Sequence, residues 1–155
     1  MSSDTDMKHA SYAWWLATTL LLWTSSALAE PSLEVRDAWV QATVPGQPVA
    51  GAYMTLRSPV ASRLVAVSCN VSKSADVHSM SMDNGVMRMR PVESLDLPAH
   101  KAVTLAPGGL HLMLAGLARP LKPGDVVDLE FTTLDAAGRK ATTKVQAPVR
   151  KEAPR

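Results

Sequence analysis

The stretch His78-Ser79-Met80-Ser81-Met82-Asp83-Asn84-Gly85-Val86-Met87-Arg88-Met89-Arg90-Pro91 decides how this chain is read. Asn84-Gly85 supplies the positive φ angles of a tight primed turn, the strongest short-range hairpin signal. With those two residues at the centre, Met82 faces Met87 and Met80 faces Met89. Side chains alternate along a strand, so His78, Met80 and Met82 share one face, and Met87 and Met89 join them from the partner strand. Val77, Ser79, Ser81, Val86, Arg88 and Arg90 point the other way. His78 then lies diagonally from Met89, within reach of long side chains. Downstream, Pro107-Gly108-Gly109 marks a second turn, and the run Leu110 to Leu114 that follows sets His111 and Met113 on one face.

Imidazole nitrogen and thioether sulfur are both ligands for soft or borderline metals, and thioether in particular selects Cu(I). Each of these residues has an ordinary reading as well. Methionine fills irregular gaps in a core, and a histidine on a half-buried strand is commonly a hydrogen-bonded core residue. The combination is harder to explain that way. Only three histidines follow residue 29, and two of them fall in register with methionine on methionine-rich faces.

Working outward, the rest of the chain reads as short strands separated by turns. Leu33 to Val40 suggests an opening strand broken near Arg36-Asp37, and Thr43 to Pro48 a loop. Strands are expected over Ala50 to Leu56, Arg63 to Val71, Val77 to Met82, Val86 to Pro91, Lys101 to Leu105, Leu110 to Leu114, Val126 to Leu134 and Thr142 to Val149. No stretch keeps helical periodicity for three turns. Regularly spaced short strands with turn signals argue for one all-β sandwich or barrel domain over residues 30–149. The charged, proline-containing tail from Arg150 to Arg155 reads as disordered.

Residues Ala10 to Ala29 carry no charge, and Ala27-Leu28-Ala29 fits a small-x-small cleavage pattern. Residues 1–29 therefore read as a secretory signal peptide cut after Ala29. An uncleaved anchor is the alternative, and a start at Met7 would give a better basic n-region. The leader holds Asp4, Asp6 and Lys8, so its removal raises the net charge from +2 to +3. The remaining length suits one domain with a real core. No Lys/Arg cluster is interleaved with aromatics, which argues against nucleic-acid binding. Cys69 is the only cysteine, which excludes an internal disulfide. It reads as a small buried residue of the third strand, with a copper thiolate as the sharper alternative.

The spacing His78-x10-Met89-x21-His111-x-Met113 resembles the signature of the PCu(A)C family of periplasmic copper chaperones. Flanking text is similar too: Asp37-Ala38-Trp39-Val40, Ala50-Gly51-Ala52-Tyr53-Met54, Val86 to Pro91, Pro107 to Leu114, and Leu121-Lys122-Pro123-Gly124-Asp125. The resemblance spans Val35 to Phe131. It implies a cupredoxin-like (immunoglobulin-like) β-barrel binding one Cu(I) through His78, Met89, His111 and Met113. It also implies delivery of copper to a partner protein, a cytochrome c oxidase subunit or its assembly factor. The chain departs from some relatives in ending without a His/Met-rich extension.

Other candidates are weaker. His100, beside Pro98 and Lys101, reads as an exposed loop residue, and Met54 as core. Met80 and Met82 could pack around the site or help move its metal. Trp39 could be core or an aromatic shield. No Gly-x-Ser-x-Gly, His-Glu-x-x-His or phosphate-binding loop is present, so no enzyme is expected. Hydrolytic metal chemistry wants a hard, open site of His and carboxylate. Two alternatives to a chaperone stay open. One is a blue-copper electron carrier, which needs a Cys, two His and a weak axial Met. The other is a passive copper-sequestering protein.

Overall fold

The computed structural model describes residues 32–153. The expected signal peptide at residues 1–29 lies outside the described residues. Among the described residues ten strands follow in order: β1 (Glu34–Gln41), β2 (Val49–Arg57), β3 (Ser62–Cys69), β4 (Ser74–Asp83), β5 (Val86–Pro91), β6 (Leu95–Leu97), β7 (Ala102–Leu105), β8 (His111–Ala115), β9 (Val126–Asp135) and β10 (Lys140–Arg150). Seven of them close a barrel in the order β4-β8-β2-β1-β10-β9-β3, with β3 returning to β4 through Val67 and Ala75. β1 runs parallel to β10 and the other strand pairs are antiparallel. The all-β cupredoxin-like expectation is borne out.

Alternation of side chains builds the core. Ala50, Ala52, Met54 and Leu56 of β2 turn inward, as do Val127, Leu129 and Phe131 of β9 and Leu112 and Leu114 of β8. Met54 is therefore core, as expected. Between Arg36 and Trp39 the β1–β2 register shifts, and Asp37 sits at φ 51°. This bulge is the break expected near Arg36-Asp37. It sets Trp39 opposite Tyr53 and directs Val40 inward, opposite Ala52.

Several boundaries differ from the sequence reading. β3 ends at Cys69, not Val71, although Val71 is still buried. β6 is a strand the sequence reading passed over. Its Leu-Asp-Leu is too short to carry a period, yet Leu95 and Leu97 are buried as it pairs with Ser62–Leu64 of β3. The expected tail loses its first residue to the barrel. Arg150 belongs to β10, paired with Gln41, and its carbonyl accepts the Ala42 amide at 2.8 Å.

Candidate metal centre

The hairpin forms in the expected register. Asn84 and Gly85 take φ angles of 50° and 79°, so both central residues of the turn are left-handed. Met82 pairs with Met87, Met80 with Met89, and His78 with Pro91. β8 lies on the other side of β4, where His78 pairs with His111 and Asp76 with Met113. β8 in turn pairs with β2, which sets Gly51 beside Met113. Because Val77, Leu112 and Ala52 face the core, His78, Met80, Met89, His111 and Met113 all lie on the outer face of the barrel wall.

The two imidazoles stack with ring centroids 6.0 Å apart and planes 22° from parallel. His111 is buried at 6% exposure, and its Nδ1 lies 3.0 Å from the Gly109 carbonyl oxygen. His78 is half-buried, with Nδ1 3.2 Å from the Asp76 carbonyl oxygen. A carbonyl can only accept, so in the neutral ring each contact places the proton on Nδ1 and turns the Nε2 lone pair toward a ligand role. Ligating histidines are commonly oriented through such backbone contacts.

A cavity of about 200 Å³ opens beside the histidines, and Met80, Met89, His111 and Met113 line it together with Tyr53 and the turn at Pro107-Gly108. Three of the four proposed ligands thus share one cavity. His78 is not among its lining residues but stacks on His111. Met80, for which packing was the ordinary reading, takes part in the lining. Among the described residues, no charged side chain lines the cavity. The acid set on this face by β4 is Asp76, opposite Met113. Among the described residues, no three His, Cys, Asp or Glu side chains come together in a metal-binding group. The soft donors that line the cavity beside His111 are the thioethers of Met80, Met89 and Met113.

Tyr53 was missed by the sequence reading. Gly51 could have pointed to it: a Cβ at position 51 would lie 2.5 Å from Tyr53 Oη and 2.9 Å from Cζ. The absent side chain lets the Tyr53 ring fold along β2 into the cavity wall. Burial raises the Tyr53 pKa above its ordinary value, so the hydroxyl stays protonated. Trp39 backs the ring at a centroid distance of 4.8 Å. Trp39 is buried, lies outside the main core cluster and does not itself line the cavity; it supports Tyr53.

Three remaining candidates fall elsewhere. His100 is exposed at φ 60°, its amide donating to the Ser58 carbonyl at 2.7 Å. Cys69 ends β3 opposite Leu129, its sulfur 2.8 Å from Ser72 Oγ, and it lines a separate cleft with Asn70 and Asp128. Ser72 Oγ donates to the Ser74 carbonyl, so the thiol is the donor in the Cys69–Ser72 contact. Arg88 lies on the reverse face of the hairpin, its Nε 3.3 Å from Asp83 Oδ2.

Comparison with known proteins sets this geometry in context. Residues 33–149 match the sequence profile of the LpqE-like family, described as "Putative lipoprotein LpqE-like". A Leifsonia xyli subsp. xyli protein named "Putative lipoprotein Lxx21020" is 29% identical over 119 residues, 76% of this chain and 69% of the relative. The apo solution structure of DR1885 from Deinococcus radiodurans is 32% identical, covers 97% of each chain and superposes with a TM-score of 0.56. The Cu(I) form of DR1885 matches at 32% identity over 83% of this chain and 85% of its own, with a TM-score of 0.52. The copper-bound PCuAC domain from PmoF2 shares the fold at 23% identity and a TM-score of 0.59, covering 79% of this chain and 93% of that domain.

Proposed function

Because the chain belongs to the LpqE-like family and shares its fold with PCuAC domains, we propose that it is an exported copper chaperone. In this reading one Cu(I) is bound by His78, Met89, His111 and Met113 and passed to a copper-accepting protein, a cytochrome c oxidase subunit or its assembly factor. Residues 1–29 act as the signal peptide, and the domain works in the periplasm. Support for the metal comes from the Cu(I)-bound state of DR1885 and the copper-bound PmoF2 domain.

The observation that carries the reading is the pairing of His78 with His111 across β4 and β8, flanked by Met89 and Met113. All four donors are neutral when they bind, and the described residues of the cavity wall add no charge. A neutral, thioether-rich set suits a soft monovalent ion and gives hard ions such as Mg and Ca little to bind. Zn can compete for the imidazoles but gains little from thioether. Met89 is 44% exposed, so one donor stands where a partner can reach it. An ion that must be handed over needs such an accessible ligand.

The position of Cys69 weighs against the electron-carrier alternative, because its thiol is engaged with Ser72 outside the cavity. Transfer distinguishes a chaperone from a passive store. The Cu(I)-loaded protein, mixed with an apo oxidase copper domain, should lose its metal to that domain within minutes. Retention of the metal with a competent acceptor present would reduce the function to sequestration.

A further inference from the structure

Beyond the four proposed ligands, the same face of the hairpin carries two thioethers that the inner site does not use. Met82 is 67% exposed and Met87 59%, and they form a cross-strand pair one step beyond Met80–Met89. Such exposure is unusual for methionine, whose common use is as core filler. Directly opposed residues have Cβ atoms about 4.5–5.5 Å apart, so two flexible thioethers can close on one ion. The two pairs are two residues apart along each strand, a separation of about 7 Å. The inner pair, Met80 and Met89, already lines the cavity with His111 and Met113.

We infer that Met82 and Met87 form a second, weaker site for a soft monovalent ion at the hairpin tip, from which Cu(I) passes by way of Met80 and Met89 into the inner site. The inference rests on the copper reading proposed above. The step is ligand exchange: one Cu–S bond forms as another breaks, the ion stays Cu(I), and no proton or electron moves. Among the described residues the outer pair has no imidazole beside it in the register, so it holds the ion less tightly than the inner set. Such a gradient suits transit rather than storage.

The surrounding hairpin is built to keep this tip exposed without making it a sticky edge. β5 is the outermost strand of the sheet path and is exposed along its whole length. Arg88, Arg90 and Pro91 blunt it against pairing with another chain. The Arg88–Asp83 ion pair spans the two arms on the reverse face, leaving the methionine face free.

The test uses the mature protein with [methyl-13C]methionine, titrated with Ag(I) and, under reducing conditions, Cu(I). The first equivalent should shift the Met89 and Met113 methyl signals, and excess ion should then shift Met82 and Met87. The M82L/M87L variant should hold the first ion within about twofold of the wild-type affinity but load it from a chelator about fivefold or more slower. Met82 and Met87 signals that stay fixed in excess ion, or a double variant that loads at the wild-type rate, would overturn the relay. Fixed signals at Met89 and Met113 with the first equivalent would instead remove the inner site, and the relay with it.

Discussion

The hydroxyl of Tyr53 occupies the space that a side chain at Gly51 would need, 2.5 Å from where its Cβ would stand. Gly51 is not at a left-handed φ, so alanine fits the backbone, and strand propensity favours it by up to about 1 kcal/mol. Gly51→Ala should therefore keep the fold while pushing the Tyr53 ring out of the cavity wall. Cu(I) should dissociate several-fold faster from this variant. Tyr53→Phe, which keeps the ring and loses only the 3.4 Å contact to Gln41, should behave as wild type. A stopped-flow transfer assay to a chelator compares the two.

Replacing His111 and Met113 together with alanine should abolish tight Cu(I) binding, because both lie on one face of β8 and supply half the proposed shell. His111 is buried, so a lower Tm accompanies the loss, with cooperative unfolding retained. Competition against a Cu(I) chelator measures the first effect and calorimetry the second. Wild-type competition by the double variant would reject the ligand assignment.

Met89→Leu should weaken Cu(I) binding more than Met80→Leu, and Met82→Leu should weaken it least. Each swap conserves volume and should cost under about 1.5 kcal/mol of stability. Met80 and Met89 are opposed in the ladder and both line the cavity, so affinity rather than packing must separate them. A larger loss at Met80 would exchange the two roles.

Stability should fall in acid through two surface carboxylates. Asp125 is held below its ordinary value of 3.8 chiefly by the Arg119 hydrogen bond, and also by the Lys122 amide. Asp135 is lowered mainly by the backbone amide of Arg139. A depressed carboxylate gives its full contribution above the unfolded value and loses it as pH falls through the lower folded value. Asp125→Asn and Asp135→Asn should each flatten the fall in Tm below about pH 4, measured by thermal melts across pH.

The hairpin was legible in the sequence because Asn84-Gly85 fixes a two-residue turn, and that turn alone dictates which methionines face each other. The pairing of β4 with β8 was not legible from the residues themselves. It joins His78 to His111 across thirty-two intervening residues, and local pattern carries no register over that distance. The spacing resemblance implied that the two histidines share a metal, but not the strand pairing that brings them together. Tyr53 escaped, and Trp39 stayed undecided between core and shield, for a related reason. Their approach to the site depends on the β1 bulge and on β2 lying beside β8, both products of barrel closure. β6 was invisible because three residues are too few to show alternation.

The central claim is a colourless Cu(I) centre of two nitrogens and two thioethers. X-ray absorption on the protein purified from the periplasm, with its metal content, tests it most directly. The account predicts close to one equivalent of copper, a Cu(I) edge, and a mixed nitrogen and sulfur shell that is unchanged in Cys69→Ser. A blue or green protein whose colour disappears in Cys69→Ser, or a shell without thioether sulfur, would contradict it.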